Sequence, residues 1–315
     1  MRWIWHQTIN SSHLGNLNQL NASQVNSPVC HLPLIAAKMS LVWFITGANS
    51  GLGLLLSQIA LAQGHTVIAT ARNASKFPQS LKDSTADLIE IEITAPADTI
   101  TAAIDAAVVK HGRIDVLVNN AGFGHMGALE EVTEKEARYQ FDVNVFGLLN
   151  FTKAVLPHMR KQKSGVVAQI SSAVGLWAGQ GAPIYAASKF AVEGMNEALA
   201  LEVKGFGIRV HLVEPGIFRT DFLSEIAKGN HGQKVEGYLD INGMLAGYHG
   251  YQPGDPEKGA QRIYELVTGT GMAAGLEWDV RVPLGTDAWG MGKDKVKSLE
   301  ETLEKMEAIA KSTDF

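Results

Sequence analysis

From Ser40 onward, apolar and polar positions follow two alternating periods. Short apolar runs read as strands: LVWFITG (41–47), HTVIATAR (65–72), DLIEIEI (87–93), RIDVLVNNAG (113–122), GVVAQISS (165–172) and IRVHLVEPG (208–216). Between them, LGLLLSQIALAQG (52–64), TITAAIDAAVVKHG (99–112), a segment near 134–160 and the stretch after Pro183 carry helical spacing. Short strands separated by helices of about ten or more residues require crossover connections. The pattern therefore predicts an α/β fold with a doubly wound, mostly parallel sheet of about seven strands, covered on both faces.

The pattern changes in three places. Residues 217–256 hold seven glycines and few periodic runs; so long an irregular insertion in a compact domain predicts a lid over the functional site. Near the end, Val296, Leu299, Leu303, Met306 and Ile309 recur at helical spacing with Glu and Lys outside them. This predicts a C-terminal helix over 294–310 that docks on the body. Residues 1–38 contain no acid, many Asn and Ser, and no sustained period. They read as a disordered extension ahead of a domain spanning 39–315. The WIW run is too short for a secretory signal, and Arg is too scarce for a typical transit peptide. A true start at Met39 is the main alternative, with organelle targeting behind it.

The remaining composition narrows the function classes. The chain has 315 residues, 46% of them hydrophobic and 19% charged, with a net charge of −5. That balance gives no footprint for nucleic acid or an anionic membrane, and no apolar run approaches the ~20 residues of a membrane span. Cys30 is the one cysteine, so there is no intrachain disulfide and no cysteine-based metal site. A reducing compartment, the cytoplasm, and no metal are expected.

Two stretches carry chemistry. TGANSGLG (46–53) follows the first strand and opens its helix. Gly47 lets the chain turn, Gly51 lets a bound group approach the backbone, and Gly53 permits tight packing of helix on sheet. The helix N-terminus then offers free N–H groups and a positive dipole end to a pyrophosphate. An NAD site of this kind has an acid about 20 residues on, for the ribose 2′-hydroxyl. IATARN (68–73) has none and places Arg72 at the strand end. A guanidinium there suits a 2′-phosphate, which favours NADP over NAD, with Thr70 or Asn73 assisting. The second stretch is GAPIYAASKFAVEGMNEAL (181–199). Tyr185 and Lys189 stand four residues apart on one helix face. A phenol with a pKa near 10 when free would be lowered by that cation into the range of acid–base work.

Taken with NNAG (119–122) and EPG (214–216), in this order, these motifs resemble the short-chain dehydrogenase/reductase family over about residues 41–225. FRTDF (218–222) and the stretch from GDPEKG to VPLGTDA (254–288) are similar to a subgroup of uncharacterised reductases, often fungal or bacterial. The resemblance implies a single Rossmann domain and a catalytic tetrad. Tyr185 is its general acid or base, and Lys189 tunes the phenol and holds the nicotinamide ribose. Ser172, thirteen positions before Tyr185, binds the substrate oxygen, and Asn144 shapes a proton relay. It also implies cofactor contacts along Gly47, Asn49, Ser50, Gly51, Leu52 and Gly53, around Asn120, Ala121 and Gly122, and at Pro215, Gly216, Ile217 and Thr220. The family commonly has Asp-Val near the end of its third strand, contacting the adenine, where Glu92 and Ile93 stand here. Asn119 takes the structural part of joining strands.

Substrate contacts are expected from the loops around the tetrad: Phe123, His125, Met126, Trp177, Phe222, Tyr238, Met244 and Tyr248. They form a mainly apolar pocket with a few polar points, which suits a hydrophobic ketone, aldehyde or secondary alcohol. The expectation is an NADP(H)-dependent oxidoreductase. An NAD-linked alcohol dehydrogenase working oxidatively is the first alternative. A redox sensor that binds NADP without turnover is the second, although such proteins often lose the Tyr or the Lys. The resemblance further implies a homodimer or homotetramer, paired through the helices that hold Asn144 and Tyr185.

Overall fold

In β1 (Val42–Ile45) successive side chains leave opposite faces of the strand. Val42 and Phe44 enter one buried cluster, Trp43 and Ile45 another. A strand apolar on both sides belongs in the middle of a sheet covered twice. The computed structural model describes residues 40–227, 234–276 and 280–315, and β1 is central in it. It is joined by β2 (Thr66–Ala71), β3 (Asp87–Glu90), β4 (Val116–Asn119), β5 (Gly165–Ile170), β6 (Ile208–Pro215) and β7 (Arg281–Leu284). All pair in parallel, in the order β3-β2-β1-β4-β5-β6-β7.

The helices are α1 (Gly51–Ala62), α2 (Gln79–Lys82), α3 (Ala97–His111), α4 (Glu134–Phe141), α5 (Leu148–Gln162), α6 (Pro183–Val203), α7 (Phe222–Ala227), α8 (Ile241–Tyr248), α9 (Pro256–Thr268) and α10 (Thr286–Lys311). α3 and α5 bring Ile100, Ile104, Phe151 and Met159 to the first cluster. α1 and α9 bring Leu56, Ala60, Ile263 and Tyr264 to the second. Strand order reverses between β1 and β4, and the carboxyl ends there open the crevice where doubly wound sheets bind ligands. Among the described residues, no helix is long and apolar enough to cross a membrane.

The expected elements need five corrections. β3 stops at Glu90, so Glu92 and Ile93 lie beyond it. The helix near 134–160 is real but contains a π-turn over Asp142–Gly147. The 217–256 segment is not irregular throughout, since α7 and α8 lie in it; residues 228–233, like the 1–38 extension, lie outside the described residues. β7, absent from the strand runs of the sequence, is only four residues long and holds a proline. The C-terminal helix begins earlier, at Thr286, and does not dock as expected. Val296, Leu299, Leu303, Met306 and Ile309 are all exposed on it.

Candidate active site

The loop leaving β1 fixes one side of the crevice. Gly47 stands at φ +63°, and a Cβ there would lie 2.9 Å from the Ala121 Cα. At Gly53 a Cβ would meet the Asn120 side chain at 2.4 Å and the Gly47 carbonyl at 2.6 Å. Glycine is required at both, because the first turn of α1 packs directly on the NNAG strand end. Thr46, which the sequence did not single out, ties the two segments together. Its Oγ1 accepts from the Asn120 and Ala121 backbone N–H groups, each at 3.0 Å. Asn120 Nδ2 donates back to the Thr46 and Gly47 carbonyls at 3.0 and 2.9 Å.

α1 begins after Ser50 with no side-chain cap and no acid in its first turn. Its orphan N–H groups and positive end therefore face the crevice beside Asn49, Ser50, Gly51 and Leu52. Gly51, at φ +54°, has open space on its Cα side up to the Thr220 methyl at 3.7 Å. An anionic dinucleotide fits this cradle.

At the edge of the crevice, Arg72 follows β2, is exposed, and makes no ion pair or hydrogen bond among the described residues. Thr70 is buried, and Asn73 caps its own turn by accepting from Ser75 N at 2.8 Å. Glu90 Oε2 closes the same turn by accepting from Ala74 N. Glu92 turns its carboxylate onto Ile93 N, and the Ile93 side chain joins the core. Backbone at Glu92 and Ile93, not side chains, is what that position offers.

The acid–base group lies across the strand ends. Pro183 sits in the first turn of α6, its missing N–H costing nothing there. Tyr185 and Lys189 follow one turn apart, both buried. Lys189 Nζ lies 5.8 Å from the Tyr185 ring centre and donates to the Ile170 carbonyl at 2.8 Å. Ser172, two residues past the end of β5, lies close enough to the phenol to draw its pKa down, and its Oγ accepts from Val174 N at 3.3 Å. Asn144 lies in the π-turn, a distortion frequent at functional sites. Its Oδ1 accepts from Phe123 N at 3.1 Å; its Nδ2 donates to the Phe123 carbonyl at 2.9 Å and to Ser188 Oγ at 3.1 Å. A Cβ on Gly122 would reach Asn144 Oδ1 at 3.2 Å and Lys189 Nζ at 3.9 Å. Asn144, Gly122 and Lys189 therefore share one wall. Asn119 keeps its structural part, donating to Thr152 Oγ1 and Gln169 Oε1 between β4 and β5.

The electrostatics differ from the expectation in one respect. Burial pushes the Tyr185 phenol up to about 12, opposed by the nearby Ser172 side chain. Burial pushes the Lys189 ammonium down to about 8, against the pull of the Glu193 carboxylate. Desolvation dominates at Tyr185, and the phenol keeps its proton at neutral pH. Beneath Lys189 lies a group the sequence analysis missed. The Arg281 guanidinium binds Glu193 at 2.7 Å, Glu197 at 2.8 Å and Glu214 at 2.9 Å. Burial and the neighbouring Glu193 carboxyl push Glu214 up to about 7.

The residues expected to meet a substrate divide. The Phe222 ring lies 6.1 Å from the Tyr185 ring, tilted at 47° to it. Met126, Leu223 and Ile226 are buried with Tyr185 in an apolar cluster, against which Val174, Ile241 and Leu245 pack. Trp177 is partly exposed beneath the Lys295 ammonium at 6.0 Å. Phe123 is a correction: its ring packs against the core and Tyr139, because both its backbone groups are held by Asn144. His125 is another: it is buried, its N–H bonds Gln140 Oε1, and its ring faces Glu136 at 4.0 Å. Tyr238 pairs with Glu130, whose carboxylate raises its pKa, while Met244 and Tyr248 are exposed.

The loop after β6 is clasped from the far end of the chain. Asp287 Oδ2 accepts from Ile217 N at 2.7 Å, and its carboxylate fills the space beside Gly216. Pro215, Gly216 and Ile217 thereby keep a fixed backbone next to Lys189 and Tyr185, with Thr220 reaching back toward Gly51. Only the Gly-Thr-Asp end of the VPLGTDA stretch (282–288) could have signalled Asp287.

Comparison with known proteins agrees with this arrangement. The family model described as short chain dehydrogenase matches residues 41–231. A 3-ketodihydrosphingosine reductase of Bacteroides thetaiotaomicron is 44% identical over 178 residues, 56% of this chain and 64% of that protein, so the match spans less than two thirds of that relative. An uncharacterised oxidoreductase of Bacillus subtilis, YusZ, is 35% identical over 71% of this chain and 83% of its own. The crystal structure of a short-chain dehydrogenase from Streptomyces avermitilis superposes with a TM-score of 0.77 at 36% identity, covering 89% of this chain and 100% of the other. ElxO, solved with NADP bound, superposes with a TM-score of 0.67 at 25% identity, over 80% of this chain and all of that one. The family model covers more than half of the chain and the fold superposes over most of it, and the chain belongs to the short-chain dehydrogenase family of oxidoreductases.

Proposed function

We propose that this protein is an NADP(H)-dependent reductase of a mainly apolar ketone or aldehyde, running in reverse on the secondary or primary alcohol. The observation that carries the reading is the burial of the Tyr185 phenol among Met126, Leu223, Ile226 and Phe222, close to Ser172, a burial that favours its protonated form. A neutral phenol at the base of an apolar pocket is a proton donor in search of a developing alkoxide. When bound, the nicotinamide supplies or accepts the hydride.

The chain's own residues do the rest. The cradle of Gly47, Gly51, Gly53 and the α1 N-terminus takes the pyrophosphate. Asn120, Ala121 and Gly122 line one side and Pro215, Gly216, Ile217 and Thr220 the other. Ser172 and Tyr185 donate hydrogen bonds to the carbonyl oxygen, where charge grows during reduction. Tyr185 delivers its proton to that oxygen. Lys189, charged below about pH 8, stabilises the phenolate left behind. Asn144, fixed against Phe123 and Ser188, positions the wall through which a proton returns. The name of the Bacteroides relative, a reductase of a 3-keto compound, supports a keto group as substrate.

The unengaged Arg72 guanidinium supports NADP, as does the NADP bound to ElxO. Arg72→Asp removes the cation and supplies the acid that a ribose 2′-hydroxyl prefers. Thermal shift titrations with NADPH and NADH provide the test. Wild type should be stabilised by NADPH well below the NADH concentration that does the same, and Arg72→Asp should reverse the order. Equal stabilisation of wild type by both nucleotides would contradict the NADP assignment.

A further inference from the structure

Nothing in the account so far uses α10 beyond Asp287. Its first turns are anchored: Ala288 is buried, Gly292 approaches Leu176, and Lys295 overlies Trp177. From Val296 to the end of the helix every residue is exposed. Sixteen residues at 1.5 Å rise make a rod of about 24 Å that touches nothing else in the described chain. An isolated helix of this length is marginal in water, and most helices are held by packing an apolar face. This one has such a face. Val296, Leu299, Leu303, Met306 and Ala310 follow 3-4-3-4 spacing, with Leu303 71% and Val296 56% exposed. That is the a/d seam of a short coiled coil.

We propose that this seam pairs with the same seam of a second copy, antiparallel, around a two-fold axis near residue 301. The charges select both occupant and direction. The turn before the seam and its start carry Lys293, Lys295 and Lys297 against Asp294; the rest of the helix carries Glu300, Glu301, Glu304 and Glu307 against Lys305 and Lys311, the last ion-paired with Glu307. Antiparallel pairing lays basic on acidic and acidic on basic; parallel pairing lays like on like and brings both globular bodies to one end. A single register satisfies the two-fold axis. Val296 faces Met306 of the copy, Leu299 faces Leu303, and each repeats across the axis. On the flank, Lys293 then faces Glu307 twice, while Glu300 meets its own counterpart. The polar face from Lys293 to Lys311 has five lysines and five acids, which leaves no net charge to draw the helix to an anionic lipid surface.

Sedimentation equilibrium of the full chain provides the test, with circular dichroism to confirm folding. Leu299→Glu with Leu303→Glu should lower the average mass at every concentration where the wild type is partly dissociated. Lys293→Glu and Glu307→Lys should each weaken self-association roughly tenfold, and the two together should restore it. Glu300→Gln should tighten it. A wild type that is monomeric at its highest soluble concentration would overturn the proposal, the face then being covered by another partner or by this chain's own residues. So would an unchanged mass in the double Leu variant, or a charge swap without rescue.

Discussion

Glu214 and Glu193 share one guanidinium beneath Lys189, and their burial has a consequence for stability. A carboxyl that titrates near 4.5 in the unfolded chain is pushed up to about 7 at Glu214 by burial and by the Glu193 carboxyl. The folded state then holds a proton that the unfolded state has lost. Stability is full below about pH 4.5 from this source and declines as pH rises through 7. Glu214→Gln keeps the hydrogen-bonding shape without the charge. The difference in melting temperature between wild type and the variant should therefore move against wild type from pH 5 to pH 7.5. A constant difference across that window would show that Glu214 does not hold the proton. This cluster was hidden in the sequence because its members lie on α6, β6 and β7, with Arg281 far along the chain from both acids. By contrast, Tyr185 and Lys189 were legible, since one helical turn of local sequence sets their spacing. The state of the phenol was not legible: it depends on how much water the fold removes, and desolvation dominates there.

At the scale of elements, the site is a joint between the β1–α1 loop and the end of β4, and Thr46 is its pin. Thr46→Val would leave the Asn120 and Ala121 N–H groups without their acceptor while barely changing volume. A buried donor left unpaired costs about 1–3 kcal/mol, so a loss of about 2 kcal/mol is expected in urea denaturation. Nicotinamide nucleotide binding should weaken with it; unchanged stability would remove Thr46 from the account. The glycine loop itself could be read from sequence because each glycine meets a local demand for turn or contact. The π-turn at Asn144 could not, since it inserts one residue into an otherwise regular helical pattern. Phe123 and His125 were misread for a related reason. Their positions in the loop after NNAG were foreseen, but Asn144 and Gln140 hold the backbone so that both side chains turn from the pocket.

For the molecule as a whole, the sheet order brings the glycine loop after β1 and the NNAG end of β4 together at the β1–β4 switch point. Alternating strand and helix periods were enough to predict that topology, because right-handed crossovers leave few alternatives. The 217–256 segment was harder, as α7 and α8 are short and α8 carries two glycines. α10 was harder still: its stripe is amphipathic in sequence whether it docks on its own body or on another. The whole fold converges on one proton, at the Tyr185 phenol, and one substitution isolates it. Tyr185→Phe removes the hydroxyl and keeps the ring in its apolar cluster. NADPH oxidation at 340 nm should be followed over a panel of apolar ketones and aldehydes, beside NADPH binding to the same variant. The account predicts wild-type turnover, near-normal NADPH binding by the variant, and a turnover lower by about 10²–10⁴. Turnover that survives the substitution would contradict it, and the acid would have to be sought elsewhere in the site.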